Sequence, residues 1–170
     1  PDDSPTTRLA KLEAGLRPSG LPLAEVVPLL AGLLSVPLPA ERYPALTLTP
    51  QHQKQQTLDA LVAWLVAEAE RQPVLVAWED LHWADPSTLE LLSLLVDQGP
   101  TARILALFTF RPDFSPPWTG RAHLTQMTLP RLPRRQAAEM TDQVAHGKAL
   151  PPEVVEQIVA KTDGVPLFVE

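Results

Sequence analysis

Apolar positions along the chain change period several times, and each change marks an element. Leu9, Leu12 and Leu16 recur at helical spacing behind Asp3 or Ser4, either of which can cap a helix with Pro5 in its first turn. Pro18-Ser19-Gly20 ends that segment. Residues 23–35 are apolar almost all round, with Pro28 near the first turn, so this helix is predicted to be buried or packed on another. Residues 36–50, with four prolines and Tyr43, read as a connector. Residues 51–72 give the longest helical signal. Leu58, Leu61, Val62, Leu65 and Val66 form its apolar stripe, and Gln53, Lys54, Gln56, Asp59 and Glu70 fall mostly on the other face.

Pro73 stops that helix, and residues 74–78 follow as a continuous apolar run, the pattern of a strand covered on both faces. Asp85-Pro86 is a strong helix start, a capping carboxylate with proline at the first helical position. The helix is predicted to run to Val96 or Asp97 and to break at Gly99-Pro100. A second strand is expected within 103–110, then a proline-rich loop over 111–122, and a third, shorter strand over 124–129. Helices over 134–146 and 151–162 complete the pattern, the second with Val154, Val155, Ile158 and Val159 as its stripe. Gly164-Val165-Pro166 then breaks the chain before Leu167-Phe168-Val169. Strand, helix, strand in this order predicts an α/β fold with a parallel sheet, followed by a helical tail.

Composition narrows the function classes. At 170 residues, 45% of them apolar and 5% aromatic, the chain can enclose a core built mainly from Leu, Val and Ala. Net charge is −6 and the 14 basic residues are scattered, so a direct nucleic-acid footprint is not expected. The absence of cysteine excludes disulfides, thiolate metal sites and a Cys nucleophile. The longest apolar stretch, 26–38, is too short and too proline-broken to span a bilayer. With no secretory signal pattern, a cytoplasmic protein without membrane contacts is the expectation. Pro1 opens the chain and Glu170 closes it within an apolar pattern, as though cut from a longer polypeptide.

Candidate chemistry centres on residues 73–86, PVLVAWEDLHWADP. Five apolar residues end in adjacent carboxylates, Glu79 and Asp80. In an open α/β sheet, ligands bind beyond the carboxyl ends of the strands. There one acid can hold Mg²⁺ through its water shell while another orients an attacking water, the Walker B arrangement. Taken alone, the pair reads sooner as the start of a solvated turn. Arg111, at the end of the second strand, can serve a γ-phosphate or support the water-positioning acid; it also fits a surface arginine before Pro112. His52, His82, His123 and His146 lack metal-ligand spacing and read as surface or packing residues. Burial is expected for Trp64, Trp78 and Trp83. Arg131, Arg134 and Arg135 form a small basic cluster that fits a phosphate contact or a solvated face.

Four blocks in order carry a resemblance: VLVAWEDLHWADPSTLELL, ILALFTFRPDF, LPRLPRRQAAEM and KTDGVPLFVE. Together they resemble the STAND class of P-loop ATPases. More narrowly, they are similar to AAA-type ATPase modules between nucleotide cyclase or protein kinase domains and tetratricopeptide repeats in bacterial multidomain regulators. The likeness implies a partial P-loop NTPase-like parallel sheet flanked by helices, followed by a small helical subdomain. Its divisions would be a helical connector over 1–50, an α/β core with Walker B and sensor strands over 51–130, and the start of a lid over 131–170. It implies Glu79 as the magnesium-side acid, Asp80 nearer the attacking water, Arg111 as sensor, and Gly164 and Pro166 shaping the base pocket. Many relatives carry Asp where this chain has Glu79, which leaves the division of labour between the two acids open.

The chain departs from the pattern in one respect. A phosphate-gripping loop reads G-x-x-x-x-G-K-[ST], and none of the seven glycines, at 15, 20, 32, 99, 120, 147 and 164, supplies it. In the family that loop lies upstream on the sheet's first strand. ATP and Mg²⁺ are therefore expected in an intact parent and not on this segment alone. Two function classes remain. One is the Walker B half of an ATP-binding or ATP-hydrolysing signalling module that controls attached effector domains. The other is a non-hydrolysing regulatory scaffold with a degenerate site. Partners would be other domains of the same polypeptide, and an incomplete sheet edge invites self-association.

Overall fold

The computed structural model describes residues 3–146 and 148–169; Pro1, Asp2, Gly147 and Glu170 lie outside them. The chain is mixed α/β and mostly helical. Its elements are α1 (Pro5–Leu16), α2 (Leu23–Leu33), α3 (Pro50–Arg71), β1 (Val74–Trp78), α4 (Pro86–Gln98), β2 (Ile104–Phe108), α5 (Arg134–Val144), α6 (Pro152–Thr162) and α7 (Pro166–Val169). It divides into two compact units, Pro1–His123 and Leu124–Glu170.

Three helices of the first unit share one starting device, a capping oxygen followed by proline. Ser4 Oγ accepts from the Thr7 amide (3.1 Å) ahead of Pro5. Thr49 Oγ1 accepts from His52 (3.3 Å) ahead of Pro50. Asp85 accepts from Ser87 (2.8 Å) and Thr88 (3.2 Å) ahead of Pro86. Each satisfies an amide that the first helical turn leaves without a partner. Pro28 falls inside α2, beyond the first turn expected for it.

The main core of this unit is helical. Leu9, Leu16, Val26, Val27, Leu29 and Leu30 cluster with Val36 and Tyr43 of the connector and Ala60 of α3. Glu13 is buried among them. Its carboxylate accepts from the Tyr43 hydroxyl (2.8 Å) and pairs with Arg42 (2.9 Å), which ties the connector to α1. Such a charge is tolerated inside only because it is fully partnered.

α3 leads from this core to the sheet, where β1 and β2 pair in parallel with Val74 opposite Ile104 and Trp78 opposite Phe108. Arg103 fastens the near end. Its Nε donates to the Ala69 carbonyl at the end of α3 (3.0 Å), and the same guanidinium reaches the Glu70 carbonyl. Lys54 of α3 pairs with Glu90 of α4.

Two expectations are corrected here. Neither strand is covered on both faces. Val74, Val76 and Trp78, with Ile104, Ala106 and Phe108, are half-buried, whereas Leu75, Leu105 and Leu107 are 64%, 61% and 50% exposed. An apolar run permits burial on two faces but cannot supply the layer that would do it. Nor does a third strand form at 124–129; that stretch is irregular, and Met127 and Leu129 are exposed because they meet no sheet edge.

In the second unit α5, α6 and α7 pack together. Asp163 (φ 49°) and Gly164 (φ 71°) turn the chain after α6. A Cβ on Gly164 would collide with the Leu132 carbonyl oxygen, so only glycine fits.

Candidate functional site

The parallel register dictates what gathers at the carboxyl end of the sheet. With Trp78 opposite Phe108, the chain leaves β1 through Glu79 and Asp80 and leaves β2 through Thr109, Phe110 and Arg111. The ladder continues past the strands. The Thr109 amide donates to the Trp78 carbonyl (2.9 Å), and the Leu81 amide donates to the Thr109 carbonyl (2.9 Å). Between these, the Asp80 amide donates to Thr109 Oγ1 (3.0 Å). Thr109 therefore fixes the acidic turn through both its backbone and its hydroxyl.

Asp80 lies in the left-handed region (φ 56°, ψ 43°), a conformation that aspartate tolerates better than bulkier residues. That single residue turns the chain sharply into a 3-10 turn at Leu81–Trp83. Leu81 is fully buried and anchors the turn, so Glu79 and Asp80 are left facing solvent. Trp83 is 76% exposed, contrary to the burial expected of it. Its ring lies 5.8 Å from the Arg111 guanidinium carbon, a cation–π contact that brings the two strand ends together. Trp83 also meets the His82 ring, with centroids 5.2 Å apart.

Of the five residues singled out from sequence, Glu79, Asp80 and Arg111 thus share one end of the strand pair. Gly164 and Pro166 belong to the second unit. Gly164 is buried, and its carbonyl accepts from the Leu132 amide (2.7 Å), a packing role that requires no ligand. In the same unit, Arg131 pairs with Asp163 and Arg134 with Glu156 (3.6 Å), so these two arginines are already engaged.

Thr109, Trp83 and His82 were not assigned to the site from sequence. The register would have found Thr109 by marking it as the residue beyond the end of β2. The sequence carries no comparable sign that Trp83 would bridge to Arg111. A cavity of about 410 Å³ is lined by Pro28, Leu38, Tyr43, Pro44, Leu46 and Gln53, none of which carries a carboxylate.

No known family matches the chain, and no solved structure does. It is similar to an uncharacterized protein of Rhizobium meliloti (strain 1021), 33% identical over 129 residues. Those residues cover 71% of this chain but only 12% of that protein, so the likeness is to a small region of a much longer polypeptide.

Among the described residues no helix is long and apolar enough to cross a membrane, and no three His, Cys, Asp or Glu side chains are grouped to hold a metal ion.

Proposed function

We propose that this chain is the Walker B half of a P-loop ATPase module of the STAND class, acting in the cytoplasm to control effector domains on the same polypeptide. The observation that carries the reading is the in-register parallel pair, with Glu79 and Asp80 leaving one strand and Arg111 the other at the same carboxyl end. Similarity to a short stretch of a far longer protein agrees with a module among other domains.

Two exposed carboxylates fit Mg²⁺, which usually keeps several waters and takes one or two protein carboxylates beside substrate phosphates. When bound, Mg²⁺ neutralises charge developing on the phosphoryl oxygens. The chain's own contribution is positional. Glu79 would hold the water shell of Mg²⁺, Asp80 would orient the attacking water, and Arg111, braced on Trp83, would meet negative charge at the terminal phosphate. The phosphates are gripped by a loop that this sequence lacks.

The test compares this chain with a longer polypeptide that contains it and the preceding sequence. Calorimetric titration with Mg-ATP is expected to give no micromolar binding to the chain alone and restored binding to the longer form. In the longer form, Glu79→Gln and Asp80→Asn are expected to cut hydrolysis by at least about tenfold while leaving binding largely intact. Unchanged turnover in both variants, or micromolar binding by the chain alone, contradicts the proposal.

A second reading, a non-hydrolysing regulatory scaffold, draws on the exposed face of Leu75, Leu105 and Leu107, a surface suited to contact. A longer polypeptide that binds ATP yet never turns it over would favour it.

A further inference from the structure

At the acidic end the His82 side chain is buried with its chemistry unused. Its side chain is nine-tenths buried, at 10% exposure, and neither Nδ1 nor Nε2 has a hydrogen-bond partner among the described residues. A buried imidazole without a partner is costly, and an apolar residue would fill the same space more cheaply. Its position gives the reason for keeping it. Nδ1 lies 3.9 Å from Asp80 Oδ1, just beyond hydrogen-bond range. The two groups differ in freedom. The His82 ring is packed against Trp83, while the Asp80 side chain is 74% exposed and can rotate. The backbone of Asp80 is meanwhile pinned by Thr109.

We propose that His82 is the positioning residue for Asp80, donating a hydrogen bond from Nδ1–H to Oδ1 when the carboxylate turns inward. The bond satisfies the ring nitrogen that has a carboxylate within reach. It leaves the second oxygen of Asp80 directed outward, in one orientation, where an attacking water would be held. The inference rests on the role of Asp80 proposed above, but its geometry is tested without nucleotide.

In this chain, the proton-bearing nitrogen of His82 is read from long-range ¹H–¹⁵N couplings at about pH 8.5, above the ordinary imidazole range. A neutral imidazole in water favours the proton on Nε2, so a predominant Nδ1–H form is the expected signature. Asp80→Gly removes the acceptor and suits the left-handed backbone, and it is expected to return the ring to the Nε2–H form. Should that variant fail to fold, the wild-type spectrum decides alone. A predominant Nε2–H ring in the wild type, or an unchanged pattern in a folded Asp80→Gly variant, overturns the proposal. Failure of the nucleotide experiments with the Nδ1–H signature intact would remove the ATPase reading and leave the His82–Asp80 contact standing.

Discussion

The helical half of the first unit and the strand pair that follows it are both rich in leucine and valine, yet they treat those residues differently. In α1, α2 and the connector most apolar side chains enclose one another, Leu33 and Leu34 at the end of α2 excepted: Val27 and Ala31 are wholly buried and Leu30 nearly so. In the strand pair every second residue faces outward, and Leu75, Leu105 and Leu107 remain largely exposed. The helical half contains both of the layers it needs, while the strand pair has a layer on one side only. Burial is decided by that second layer and not by local hydrophobicity, since parallel strands ordinarily need cover on both faces.

The largest expected effect tests this contrast in one pair of variants. Leu30→Ala should cost about 2–5 kcal/mol by urea unfolding, because it opens a cavity among residues already in contact. Leu105→Ala, an equal truncation on the bare face, should cost no more than about 0.5 kcal/mol. Equal losses would mean that the sheet face is covered after all.

A smaller effect sharpens the helical side. Tyr43→Phe leaves a buried Glu13 oxygen without its hydroxyl donor and should cost about 1–2 kcal/mol. Burial, and then the hydrogen bond to Glu13, push the Tyr43 phenol above its usual 10.0. Its contribution is therefore complete below pH 10.0 and is lost as the pH rises beyond it. Stability of the wild type should fall over that alkaline range, and Tyr43→Phe should flatten the fall.

The smallest effect concerns the strand side. Hydrogen bonds from the Thr88 hydroxyl and amide, and then from the Ser87 amide, hold the Asp85 carboxyl below its usual 3.8. The cap on α4 is thus fully present above 3.8 and is lost as the pH falls through the lower value imposed by folding. Hydrogen exchange in the first turn of α4 should quicken in acid. The first turn of α3, capped by the Thr49 hydroxyl, should not respond in this way.

What could be read from sequence follows from the range of each signal. Helix starts were legible where a capping residue precedes proline, as at Ser4-Pro5 and Asp85-Pro86, because both partners in that device are neighbours. The two strands were legible as apolar runs, and their parallel pairing followed from the helix between them. The bare face was not legible, since Leu75 and Leu105 have the same side chains whether or not a layer covers them. The third strand failed for a related reason: residues 124–129 have a strand-like composition, but a strand exists only when paired. Glu13 and Tyr43, 30 positions apart, carry no local sign of meeting. At the candidate site the acids and Arg111 were legible from their places after the strands. The supports were not, because Thr109, Trp83 and His82 act through contacts created by a backbone turn at Asp80 that no pattern announces.

The proposed function requires that residues leaving β1 and β2 jointly face a nucleotide. Hydrogen exchange of the longer polypeptide, with and without Mg-ATP, tests it most directly. Slower exchange is expected in peptides covering residues 79–83 and 109–112. Nucleotide protection elsewhere, with those two segments unchanged, would contradict it.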